Sequence, residues 1–510
     1  MTINQRRAGA ILSYLGLVIN AVINFVYVPL LLAFLTTAEY GVYELIGSII
    51  AYLSVMDMGL STTLNRYYVH TKACEGERAV ANLLSMAAII YGILTILAVA
   101  AGIAFNSAID PLYAESFSSK ELTLAHQMMM LVILNCAIVL PGNWFLALIN
   151  ANERFVFART VSIVKYVIQV VVILVVLMWR SGALEVLAVQ VVFNFLAVML
   201  YVFYLKKVLG IRAHFTHWDW TLFRSMFAFS FFMLLNMVFD QVFWKTGQVI
   251  LGAVSGSVSV AVYGIACKLI TAGYMQVSTG VTSVFLPKLT AMSANTDEMS
   301  EINALFNRIG RIQAMLVWGV LAAFVAVGAE FILLWAGPDF SEAYPAVIIL
   351  MLGLSVSLIQ NLGLSVLQAK NKMGFRVAVY VVLAVLDVVI SIPVAASFGV
   401  IGCAVVAAVL LFIGTGPVIN WYYHRAIGID IPSFFKGVLP LAAPATIAAV
   451  GTYAFMVVFP LGVSWAAFIV HSLVFVAIYG LLLWFVFAND YEKGLVTSIL
   501  GKVAHIGRGR

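Results

Sequence analysis

Six ionisable residues stand inside long apolar runs of this 510-residue chain: Asp57, Asp240 and Asp387, and Lys165, Lys245 and Lys268. A charge at the centre of a helix in hydrocarbon costs at least ~2.5–3.5 kcal/mol, so each of these residues calls for a partner, a bound ion or water. Three acids and three bases balance, and pairing between helices would account for them. Asp240 and Lys245 are five positions apart, roughly 140° around a helix, and so cannot readily pair with each other. The other account is a hydrated cavity whose lysines face an anionic cargo. Uncharged amides gather in the same runs: Asn20 and Asn24 one turn apart, then Asn236, Gln241 and Gln248, then Gln276, Gln360 and Asn361. Hydrogen bonds between helices explain any one of them. Their concentration on the first and seventh runs favours a polar central path.

Reactive machinery is absent from the pattern. There is no G-x-x-x-x-G-K-[ST] loop for a nucleotide, and no Ser/His/Asp or Cys/His constellation on a plausible scaffold. Cys74, Cys136, Cys267 and Cys403 show no metal-ligand spacing, and His126 and His471 are lone histidines read as structural. The expectation is a binding protein, not an enzyme, with no cofactor and no catalytic or metal site.

The elements that must hold these residues follow from composition. Hydrophobic residues make up 64% of the chain and charged residues 10%, against about 25% charged in soluble domains. Such a chain in water would expose large apolar patches, so it is read as an all-α polytopic membrane protein. A bilayer core needs about 20 apolar residues per helix. Fourteen runs qualify, over 9–35, 40–65, 80–106, 122–150, 157–179, 183–207, 222–252, 257–287, 311–335, 345–369, 374–398, 400–424, 437–460 and 463–489. They are apolar all round, unlike the alternating strands of a barrel.

The basic residues test that count, because Lys and Arg should mark every second connection. One side carries Arg6 and Arg7, then Arg66, Lys72 and Arg78, then Arg154 and Arg159, and the pattern continues through Lys206, Lys207, Lys288, Arg308, Lys370, Lys372 and Arg425 to Lys502. The other side keeps only Lys120 and Arg180. Both termini are therefore placed in the cytoplasm, in a multi-pass bacterial plasma membrane protein. The net charge of +6 needs no nucleic acid to explain it.

The chain is also weakly duplicated. LINANERFVF (148–157) matches VLQAKNKMGF (366–375), GALEVLAVQVV (182–192) matches GVIGCAVVAAV (399–409), and YGVYEL (40–45) matches VAVYGI (260–265), in order and at nearly one offset. The offset spans six runs, an even number, which implies a parallel repeat. The expected organisation is a six-helix lobe over 1–207, a cytoplasmic linker over 208–221, a second six-helix lobe over 222–425, two further helices over 437–489 and a tail over 490–510. Residues 296–312 read as an amphipathic helix on the cytoplasmic surface, with Ile302, Leu305, Phe306 and Ile309 on one face and Thr296 or Asp297 as its cap.

The run from Val28 to Tyr68 resembles the N-terminal signature of the polysaccharide/O-antigen flippase family of the multidrug/oligosaccharidyl-lipid/polysaccharide (MOP) exporter superfamily. It carries Pro29-Leu30, Tyr40-Gly41-Val42-Tyr43, Asp57-Met58-Gly59-Leu60 and Arg66. FWKTGQVILGAVSGSVSVAVYGIACKL (243–269) is similar to the start of the family's second lobe. The family often has an Asp-Lys pair just before I-L-G in span 7, where this chain has Gly247-Gln248, with Lys245 slightly earlier. The resemblance implies two six-helix lobes around a cavity lined by spans 1, 2, 7 and 8, worked by alternating access. It implies an undecaprenyl-pyrophosphate-linked oligosaccharide as cargo, membrane lipids as surroundings, and a polysaccharide polymerase or glycosyltransferase as a partner. On that basis Lys245 and Lys268 face the anion, Arg66 lies at the mouth, and Asn20, Asn24, Asp57 and Asp240 line the cavity. The D-x-G-L motif is equally a packing motif, with Gly59 allowing close approach. A peptidoglycan precursor is a second cargo of the same kind. The alternative function is cation-coupled drug export, with Asp57, Asp240 or Asp387 as the ion site. A membrane glycosyltransferase or polymerase fits less well, because the longest outer loop, 107–121, is short.

Overall fold

The computed structural model describes residues 2–210, 218–282, 299–370, 372–495 and 497–498. Among them every regular element is helical. In lipid a backbone must close its own hydrogen bonds, and a helix does so within one segment. The first half holds α1 (Thr2–Leu32), α2 (Thr37–Ser54), α3 (Leu60–Cys74), α4 (Glu77–Tyr113), α5 (Ser119–Ala151), α6 (Phe155–Trp179), α7 (Ala183–Tyr204), α8 (Trp220–Ser255) and α9 (Ser257–Lys268). The second half holds α10 (Met299–Trp335), α11 (Ala343–Ile359), α12 (Asn361–Ala369), α13 (Gly374–Ile413), α14 (Ile431–Val438), α15 (Ala442–Val458) and α16 (Trp465–Leu482).

Twelve helical stretches of the described residues are long and apolar enough to cross a membrane. One of them, Gly374–Ile427, passes through Gly399 at φ 54° and covers the two spans expected at 374–398 and 400–424. With the apolar part of α1, Val22–Leu32, each of the fourteen expected crossings has its helix. Local chemistry sets several starts. Thr36 with Glu39 and Ser118 with Glu121 form capping boxes that open α2 and α5 and satisfy backbone N–H groups left over at the helix start.

The chain forms two compact units. Unit 1 is Met1–Gly264 with Val388–Cys403, and unit 2 is Ile265–Asp387 with Ala404–Arg510. Unit 1 has its core where α3, α4, α5 and α7 meet, around Leu64, Leu83, Leu84, Tyr91, Leu148 and Ile149. In unit 2, Ala322, Ala445, Ala448 and Phe475 pack α10, α15 and α16. Large apolar side chains such as Val171, Phe203, Val389 and Leu473 remain exposed. In water such a surface would aggregate, whereas in a bilayer it meets lipid.

Residues 299–312 are not a separate surface helix. They are the first turns of α10, and the apolar face read from the sequence packs within unit 2, with Phe306 at 4.8 Å from the Phe434 ring. The caps expected at Thr296 or Asp297 lie outside the described residues, as do half of the linker 208–221 and most of the tail 490–510. Unit 1 takes in α8 and runs on to Gly264, within α9, and α8 lies along α2 and α3.

Candidate functional site

Within unit 1 a polar seam joins α2, α8 and the start of α9. It begins at Gly41, where any side chain would overlap the Ser257 carbonyl oxygen, so glycine in the Y-G-x-Y motif permits that crossing. Ser257 donates to Glu121, the residue that also caps α5 through Ser118, and Ser116 Oγ donates to the Gly252 carbonyl at 2.6 Å. These bonds clamp the α8–α9 turn to the α4–α5 turn. About two helical turns deeper, Ser48 of α2 donates to Gln248 Oε1 and Tyr52 pairs with Thr246. Gly247 gives room for Tyr263, and Gly264 gives room for the buried Glu44.

Gln248 is fully buried, and its Nε2 has no hydrogen-bond partner among the described residues. An unpaired buried N–H group costs about 1–3 kcal/mol. Lys245 stands one residue before Thr246 on α8, half-buried, and forms no hydrogen bond or ion pair with a described residue. The seam therefore combines a bare amide N–H at Gln248 with tyrosine and threonine hydroxyls and the buried Glu44 carboxylate, and Lys245 precedes Gln248 by three residues on the same helix.

Asp57 is placed differently. It ends a short 3-10 turn, Val55–Asp57, between α2 and α3, and Met58 and Gly59 follow in the left-handed region at φ 52° and 64°. Its carboxylate is buried and accepts hydrogen bonds from Ser61 at 3.1 Å and Asn143 at 3.3 Å. A Cβ on Gly59 would come within 2.8 Å of Met233 on α8. The D-x-G-L motif is thus a helix-breaking turn that lets α8 approach.

The remaining expected residues have surroundings of their own. Asn20 bonds back to the Gly16 carbonyl of its own helix at 2.9 Å, and Asn24 is exposed. Arg66 and Asp240 are exposed, Lys268 is half-buried and Asp387 is buried, and each of these four has a partner. Lys165 donates to Asn194 at 2.9 Å, which in turn donates to Asn135 at 2.8 Å. His126 bridges Asn106 and Asp110. His471 faces Glu330 at 2.9 Å, and both are buried. Sequence reasoning misses Glu330 and Glu44, although both fall within the spans as drawn. A search for every carboxylate inside an apolar run finds them.

Residues 7–293, more than half of the chain, match the family described as polysaccharide biosynthesis protein. The chain belongs to that family. The chain shares its fold with solved transporters of low identity. The lipid II flippase MurJ, in an inward closed conformation, superposes with a TM-score of 0.72 at 14% identity, covering 96% of this chain and 99% of that one. An inward-facing multidrug resistance MATE family transporter of the MOP superfamily gives 0.61 at 11% identity, covering 82% and 96%. A MOP superfamily transporter from Pyrococcus furiosus, described as having a binding pocket of reverse polarity, gives 0.51 at 12% identity, covering 84% and 94%. No curated protein matches the sequence. The protein is thus a multi-pass membrane protein of the polysaccharide biosynthesis family, with the fold of MOP superfamily transporters.

Proposed function

We propose that this protein moves an undecaprenyl-pyrophosphate-linked oligosaccharide across the cytoplasmic membrane by alternating access, for assembly of a cell-surface polysaccharide. The single observation that carries this reading is Lys245, a cation inside an apolar helix with no ionic partner among the described residues, three residues before Gln248 with its bare Nε2. A pyrophosphate head would pair with the ammonium and replace the water around it, while the prenyl tail stays in lipid. Family membership and the fold shared with a lipid II flippase support the same class of cargo. On this reading Lys268 is a second anion contact and Arg66 lies at the mouth. Asn20, Asn24, Asp57 and Asp240 belong to the polar lining. Both termini face the cytoplasm, and a polymerase or glycosyltransferase works alongside.

The test is flipping in proteoliposomes of a fluorescent, short-chain polyprenyl pyrophosphate bearing a sugar. The rate should fall at least about tenfold in Lys245→Gln, the scale of one lost charge-assisted contact, and recover in part in Lys245→Arg. Full rate in the Lys245→Gln, Lys268→Gln double variant would refute the anion role. Drug efflux from the same vesicles that collapses in Asp240→Asn would instead establish cation-coupled drug export.

A further inference from the structure

A second polar site lies away from the seam, at the end of unit 1 where α3 finishes and α5 turns into α6. A cleft of about 510 Å³ opens there, and Gln5, Tyr68, Lys72, Asn152, Glu153 and Arg154 supply its polar lining. The turn that shapes it closes tightly. Asn152 N–H donates to the Leu148 carbonyl, Glu153 takes φ 57°, and Arg154 N–H reaches back to the Ile149 carbonyl at 3.1 Å.

Within the cleft Asn152 Oδ1 accepts from Tyr68 at 3.1 Å and from Lys72 at 3.3 Å, and the Lys72 ammonium lies 5.5 Å from the Tyr68 ring centroid. Lys72 is thus steered by neutral groups. The Arg154 side chain is exposed and forms no hydrogen bond or ion pair with a described residue. Gln5 Oε1 is buried and has no partner among the described residues. The cleft therefore offers two cations, the Glu153 carboxylate and, at Gln5, an acceptor without a donor among the described residues. A bare phosphate would satisfy the cations and leave Gln5 Oε1 orphaned. A phosphate ester carrying a hydroxyl group satisfies both.

Unit 2 shows that the free arginine is not forced by the turn. The same backbone closure recurs there, with Lys370 N–H on the Val366 carbonyl and Lys372 N–H on the Leu367 carbonyl. Lys372 occupies the place of Arg154, but its ammonium donates to the Ala426 carbonyl at 2.6 Å. One unit uses this cation to tie off a helix end; the other leaves it facing a cleft.

We infer that this cleft of unit 1 binds a phosphate ester with a hydroxylated substituent, held by Lys72 and Arg154. The rim favours a membrane source, because Val69, 56% exposed, and Ala73 border the cleft and suit an acyl chain better than bulk water. An anionic phospholipid with a hydroxylated headgroup fits this description. The site is independent of the transport reading, since none of its residues lies on the seam.

The experiment titrates the full-length protein in detergent with dioctanoyl phosphatidylglycerol, dioctanoyl phosphatidylcholine and glycerol 3-phosphate. Phosphatidylglycerol should bind at least about tenfold more tightly than phosphatidylcholine, and the Lys72→Gln, Arg154→Gln double variant should lose that margin, while Arg154→Lys keeps most of it. Glycerol 3-phosphate binding as tightly, and lost in the same variant, would uphold the site with a soluble ligand as its source. Equal affinity for the two lipids, or phosphatidylglycerol binding undiminished in the double variant, would overturn the inference. If the double variant does not fold, the exposed single variant Arg154→Gln, checked for native packing by near-UV circular dichroism, takes its place. A reduced margin there upholds the site, and an unchanged margin overturns it.

Discussion

The turn from α5 to α6 in unit 1 and the turn from α12 to α13 in unit 2 are built on one plan. The same shift along the chain carries Asn152 to Lys370 and Arg154 to Lys372, with the same backbone hydrogen bonds in both. It also carries Phe157, stacked on Tyr204 at 3.8 Å, to Phe375, stacked on Tyr422 at 4.3 Å. Deeper in the helices the two units part. The shift takes Lys165, Asn194 and Asn135, a hydrogen-bonded polar chain, to Leu383, Phe412 and Gly353. Leu383 packs against Gly414, and Gly353 lies against Ala408. Backbone closure and ring stacking are thus common to both units, whereas charge at membrane depth is not. Groups that close the backbone have few substitutes, but the lining of a helix interface can exchange polar bonds for packing so long as every buried polar group keeps a partner.

The largest effect should come from the glycines at which each unit brings two backbones together. Gly41→Val would overlap the Ser257 carbonyl, and Gly353→Val would place a Cβ 2.5 Å from the Ala408 Cα. Each should cost more than about 4 kcal/mol and abolish the folded, monodisperse fraction seen by size-exclusion chromatography in detergent. If one is tolerated, the two crossings are not equivalent.

A reciprocal exchange sharpens the contrast at membrane depth. Leu383→Lys buries a charge at a site that lacks the Asn194–Asn135 chain, and should lower stability by about 3 kcal/mol. Lys165→Leu should cost about 1 kcal/mol or less, because Asn194 retains its bond to Asn135. Thermal unfolding in detergent measures both, and equal losses would remove the distinction between the units. The smallest effect concerns the shared stack: Phe157→Leu and Phe375→Leu should each cost about 1 kcal/mol. Shifts in Tm that differ severalfold would show that only one turn depends on its ring pair.

The spans and the repeat are legible in the residues. Run length and hydropathy mark the former, and 148–157 against 366–375 marks the latter, because both properties are local to a segment. The ionisable residues draw attention for the right physical reason, but the six picked out in the sequence are too few. Glu330 lies near the end of its span, where a charge is least conspicuous, and His471 looks solitary in its own run, yet the two meet across 141 positions of chain. Ile302, Leu305, Phe306 and Ile309 form one apolar face in the sequence, and each is buried. Only packing tells whether that face meets lipid or Phe434.

Sequence alone determined that this chain is a bundle of membrane-crossing helices with basic residues in alternate connections. A helix in lipid must satisfy its backbone from its own segment, and that requirement can be checked residue by residue. The tertiary structure alone decided which polar groups have partners: that Asp57 is held by Ser61 and Asn143, that Lys372 reaches a carbonyl, and that Lys245 and Arg154 meet no described partner. Those outcomes depend on atoms brought together from distant parts of the chain, and no local pattern encodes them.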